Sequence, residues 1–197
     1  MEINNIFNEW GIHIPVDQDR FEYLFLSEPE NCFYIDRFPL LINDFGKFEQ
    51  QEISYDKVVS HETPLDIFKA EEIKYVNIIK KLWLYNQIIV ETNFLQVDDK
   101  TLKNYLENEN DIIGLRNILQ QTQDNIVLEN SNNLDLLVRL GTKEKVYSIL
   151  VLLDFKMVVS LHSTCFLVYL KDISKVQLIK EIACTEGLYL RPYLKAQ

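Results

Sequence analysis

The chain has 197 residues, 47% of them apolar and 25% charged, enough to bury the core of one ordinary domain and too apolar for a disordered polymer. A formal charge of −10 argues against direct binding to phosphate backbones, and five glycines, none within twenty residues of another, leave no phosphate-cradling loop. Three dispersed cysteines (Cys32, Cys165, Cys184) without a CxxC pair exclude a disulfide framework and a zinc ribbon.

The opening MEINNIFNEW has no basic segment followed by an apolar one, so no secretory signal is expected. The longest charge-free stretch, 157–170, is broken by Ser160, His162, Ser163 and Thr164 and is too short for a membrane span. A cytoplasmic location follows as the expectation. Alanine is scarce while Asn, Ile and Lys abound, a bias of AT-rich codons that suggests a low-GC bacterial or phage source. With no linker, repeat or low-complexity tract, residues 1–197 read as one globular domain.

A short helix is expected at residues 4–10, capped by Asn4 or Asn5 and ended by Gly11. The stretch 19–48 interleaves aromatic and acidic residues; the alternation Phe21, Tyr23, Phe25 and the run 32–35 read as short strands. Residues 71–91 carry a narrow polar stripe at Lys74, Asn77, Lys81, Gln87 and Glu91 and predict one long core helix. Glu71 and Glu72 would face its positive N-terminal end, and Lys80 would snorkel to water.

Further helices are predicted at 101–107, 111–121 and 134–140, the last stopped by Gly141 in the C′ position. Three apolar runs, 146–153, 157–161 and 165–170, are separated by short polar breaks and read as antiparallel strands. A helix at 174–186, capped by Ser174 and followed by Gly187, comes next, and LYLRPYL closes as a strand or tail. The predicted class is α+β. It comprises an acidic, aromatic third (1–72), central helices (73–141) and a C-terminal βββα unit (145–190) with a three-stranded antiparallel sheet.

No catalytic motif rises from this pattern, and no cofactor or metal is expected. His61 lacks the second histidine of a zincin helix, and His13 lies in an apolar stretch as a satisfied polar residue. His162 and Cys165 stand three apart in the predicted hairpin and are the one thiol–base pair in reach, the basis of an alternative reading as a small hydrolase or transferase. The charge distribution is more informative. Residues 1–72 hold sixteen Asp or Glu against five Lys or Arg, a charge of −11, so the remainder is almost neutral. Carboxylates gathered on one face would steer a basic partner, and aromatic side chains among them would supply anchors. The expected function is therefore non-enzymatic binding of a basic protein, as an immunity protein or antitoxin does, through Asp17, Asp19, Glu22, Glu28, Glu30 and Asp36. A structural or phage-assembly protein, forming a homo-oligomer through an exposed strand edge, is the third reading.

Overall fold

The computed structural model describes residues 3–15, 17–105, 109–121 and 126–193. Seven strands form a single sheet in the order β3-β2-β4-β5-β6-β1-β7, and every neighbouring pair is antiparallel. In chain order they are β1 (Cys32–Asp36), β2 (Ile88–Thr92), β3 (Ile126–Val127), β4 (Ser148–Leu152), β5 (Met157–Leu161), β6 (Phe166–Leu170) and β7 (Tyr189–Pro192). The mixed class agrees with the sequence, but the three-stranded C-terminal sheet expected there is only the centre of a larger one. The β4–β5–β6 meander is that centre. Strands from the first and middle thirds and the C-terminal end extend it on both sides.

Helices cover the sheet on both faces. Along one face run α5 (Leu65–Trp83), α7 (Glu109–Gln121), α8 (Ser131–Thr142) and α9 (Val176–Thr185), whose apolar residues pack with Leu150, Val159, Phe166 and Val168. The other face carries the smaller α1 (Ile3–Glu9) and α2 (Arg20–Ser27), packed on Ile149, Val151, Val158 and Tyr169. Odd and even positions along each strand thus feed two cores, as the period of two requires. Three short helices, α3 (Phe45–Gln51), α4 (Tyr55–Val59) and α6 (Asp99–Lys103), join these elements.

The predicted helix 71–91 is two elements. Helix α5 starts earlier, behind Pro64, and stops at Trp83; Leu84 and Tyr85 are exposed and the chain turns back as β2. Asn86 fixes this turn, its side chain donating to the Leu82 carbonyl at 2.8 Å and accepting from the Phe155 N–H at 2.9 Å. The apolar run after it suits strand and helix equally, and pairing with β4 decides the matter. Because α5 begins at Leu65, Glu71 and Glu72 lie inside it and not at its N-terminal end, and both are buried; Lys80 pairs with Asp135 at 2.7 Å instead of snorkelling.

Residues 20–27 also depart from expectation. Phe21, Leu24 and Phe25 are buried at helical spacing, so Phe21 and Phe25 share one face of α2 and Tyr23 lies off it; the expected strand is a helix. Of the predicted helix 101–107, the described part holds only the end of the short α6, which starts earlier at Asp99 and stops at Lys103; residues 106 and 107 lie outside the described residues. The predicted helix 174–186 begins as a 3-10 turn, Ile173–Lys175, in which Asp172 accepts the Ser174 N–H at 3.1 Å; α9 proper follows from Val176 with Lys175 at its N-cap position, so Ser174 is not the cap. Gly141, expected beyond α8, lies inside it against β5. Among the described residues, no helix is long and apolar enough to cross a membrane.

Candidate functional site

Helices α1 and α2 do not cover their whole face of the sheet. Beside α2 the strand row Ile149, Ser160, Leu167, Tyr34, Arg191 crosses β4, β5, β6, β1 and β7 in register, each residue paired with the next. Where the row emerges from under the helix it floors an open cleft of about 450 Å³. Ser160, Leu167 and Tyr34 form the floor, and Tyr147, His162 and Tyr193, just beyond the ends of their strands, form its margins. The remaining wall is α2, which contributes Asp19, Phe21, Glu22 and Phe25.

The wall is placed by ordinary helix chemistry. Asp19 takes extended backbone angles at the N-cap and its carboxylate accepts the Glu22 N–H at 2.9 Å, which starts α2 and sets both acids on the cleft side. Phe21 and Phe25, one helical turn apart, stand with ring centres 5.5 Å apart. Phe25 in turn meets Tyr193 edge-on at 4.9 Å, and Tyr34 and Tyr193 lie 5.8 Å apart, so the rings form a continuous aromatic surface.

The charge around this surface is one-sided. Arg191 sits over the Tyr34 ring at 4.3 Å and is consumed by Asp36 at 2.8 Å, while Arg20 is paired with Glu91. Among the described residues neither Asp19 nor Glu22 has an ion-pair partner, and no lysine or arginine lines the cleft. Burial pushes the Tyr147 hydroxyl up to about 12, and the negative charge of Asp19 adds to this, against a hydrogen bond from Ser160 that pulls it down. Tyr147 is therefore a neutral phenol at physiological pH.

Of the six acids singled out in the sequence, the structure brings two, Asp19 and Glu22, into the cleft. Asp17, in the turn before α2, and Glu30, in the turn after it, are exposed. Glu28 and Asp36 have structural employment. The Glu28 carboxylate receives hydrogen bonds from Tyr169 at 2.7 Å, Asn31 at 2.6 Å and Lys171 at 3.1 Å. Burial pushes its pKa up, but these bonds and the lysine charge outweigh it and leave the group below its ordinary value. Asp36 is buried and tied to Arg191. The acids of the first third also divide between the two faces of the sheet, since Asp66, Glu71 and Glu72 ride on α5.

His162 and Cys165 do not form a common site. The turn between β5 and β6 is pinned by Ser163 N–H to the Gly141 carbonyl at 3.0 Å and by the Tyr75 hydroxyl to the Thr164 carbonyl. It sends His162 into the large cleft and Cys165 into a second cavity of about 80 Å³ beside Asp36 and Arg37. Burial and the Asp36 charge push the Cys165 thiol up to about 12, only partly opposed by Arg191, so the thiol stays protonated and unreactive. Iodoacetamide is expected to label exposed Cys184 first and Cys165 at least about tenfold more slowly. Peptide mapping over time reads this order, and equal rates would show an activated Cys165.

Tyr34, Tyr147, Ser160, Leu167 and Tyr193 went unnoticed in the sequence because they come from five separate segments. Only the α2 wall had a local signal, Asp19 followed three residues later by Glu22, the spacing of a capping box. Among the described residues no group of three or more His, Cys, Asp or Glu side chains is placed to hold a metal ion. No protein-family model matches the chain, and neither a curated protein nor a solved structure is significantly similar to it.

Proposed function

We propose that the chain is a non-enzymatic binding module that holds a basic protein against the α2 face of its sheet, as an immunity protein or antitoxin holds a nuclease-like toxin. One observation carries this reading: an open aromatic cleft whose rim carboxylates, Asp19 and Glu22, have no ion-pair partner among the described residues. Apolar rings exclude water from a docked side chain, and uncompensated carboxylates attract a positive one. Exposed Asp17 and Glu30, before and after α2, would extend the attraction to longer range. A nuclease surface, positive because it must hold phosphates, has the matching sign.

The test separates charge from cap. Asp19→Asn combined with Glu22→Gln removes two charges while asparagine still caps α2. A basic protein captured from native lysate at low salt should be released at high salt, and the double variant should bind it about tenfold more weakly, the loss expected for two rim charges. Retention of the same protein by the double variant, at unchanged affinity and salt response, would remove the reading.

A further inference from the structure

We propose that the cleft is a receptacle for one arginine side chain of the partner, its guanidinium lying against the half-buried ring of Tyr193 with its charge directed to Asp19 and Glu22. The inference rests on the basic-partner reading and names the group that anchors it. The sign of the site is set by its lining: two carboxylates, no lysine or arginine, and one histidine at the margin. An anion would meet those carboxylates without a counter-charge, and a neutral apolar ligand would cover them without repaying their lost hydration. A cation satisfies both the carboxylates and the ring faces.

The protein already uses this arrangement once. Arg191 stacks over Tyr34 at 4.3 Å and is held there by Asp36 at 2.8 Å, a guanidinium between a ring and a carboxylate. The cleft repeats the combination on the same aromatic surface without a guanidinium among its lining residues, since Phe25, Tyr34 and Tyr193 are mutual neighbours and Asp19 and Glu22 of the α2 wall line the same cleft. Leu167 on the floor matches the apolar stem of an arginine. Lysine fits less well. The cleft is open to water, and a compact ammonium keeps its hydration there, whereas a planar, weakly hydrated guanidinium stacks with little loss.

Acetyl-Gly-Arg-Gly-amide, with its lysine and citrulline counterparts, tests the anchor free of the partner's other charges. Titrated into the full chain and followed by amide NMR shifts, the arginine peptide should saturate with a Kd on the order of millimolar and perturb Tyr34, Ser160 and Leu167. The neutral, isosteric citrulline peptide should bind at least about tenfold more weakly, and the lysine peptide several-fold more weakly. Leu167→Trp, which plugs the floor, and Tyr193→Ala, at the margin, should each reduce arginine binding about tenfold with unchanged far-UV circular dichroism. If Leu167→Trp does not fold, Tyr193→Ala decides alone. Absent shifts, equal binding of citrulline, or binding untouched by the cleft variants would each overturn the anchor. Should the anchor fail while capture of a basic protein still depends on Asp19 and Glu22, the broader reading stands. Should the tripeptide bind while that capture ignores both acids, the broader reading falls instead.

Discussion

Glu72→Ala is expected to destabilise the protein by about 3 kcal/mol or more, because it removes one partner of a buried charge cluster and strands the others. Glu72 is 1% exposed, on the face of α5 that meets α8. Its carboxylate accepts from Arg139 at 2.6 Å, from the Thr142 hydroxyl at 3.0 Å and from the Lys143 ammonium. Arg139 is shared with Asp135, which also binds Lys80, so two acids and three bases tie the helices together. Arg139 is about one-third exposed and can recruit water, but Lys143 is buried with its charge over the Phe68 ring at 5.7 Å. The loss is therefore concentrated on Lys143. Urea unfolding measures it, and Glu72→Gln, which keeps the shape and some hydrogen bonds, should lose less.

The same variant has a distinctive pH response. Burial already depresses the Lys143 pKa below 10.5, and the Glu72 charge is the main opposing influence. Without Glu72 the folded-state value falls further. Between that value and 10.5 the unfolded chain binds more protons than the folded one, so stability rises with pH across this window. The deficit of Glu72→Ala relative to the parent should accordingly shrink as the pH is raised toward 10.5. A deficit that grows with pH would mean that the lysine is not the stranded charge.

How much of this could be read from the sequence depends on where each residue finds its partner. Strands β4, β5 and β6 follow from continuous apolar runs with short polar breaks, since a strand buried on both faces need not alternate. Strand β1 pairs with segments more than a hundred positions away and β2 with two segments that are both remote in the chain, and nothing in Ile88–Thr92 itself separates a strand from the end of a helix. Phe21 to Phe25 satisfies both periods over five residues, and burial of Leu24, not of Tyr23, decides for the helix. The large negative charge of the first third is real, but the fold spends part of it: Glu72 on Arg139 and Lys143, Asp36 on Arg191, Glu28 on Lys171. Net charge counts every carboxylate equally. Among the described residues, Asp19 and Glu22 line a cavity without an ion-pair partner, a distinction that a sum of charges does not contain.

Gly141→Val is expected to destabilise by about 2–3 kcal/mol, reversing the gain of roughly a few tenths of a kcal/mol that replacing glycine by valine normally brings inside a helix. Glycine is required here by proximity, not by backbone angles. A Cβ at 141 would stand 2.7 Å from the Leu161 Cβ and 3.2 Å from its carbonyl oxygen. Neither atom is the free end of a flexible side chain: Leu161 is the last residue of β5, and its backbone pairs with Ser148 of β4. Relief must move α8 away from the sheet, opening a gap beneath Leu137 and Leu140, or push the strand end outward. The second movement reaches the cleft, because the Gly141 carbonyl also holds the Ser163 N–H in the turn that presents His162. Gly141→Ala should produce a smaller loss in the same direction. Thermal and urea unfolding give the energies, while amide shifts of Ser160 and His162 in the folded fraction show whether the turn has moved. A valine variant as stable as the parent would mean that α8 and β5 are not in the close contact on which the placement of His162 depends.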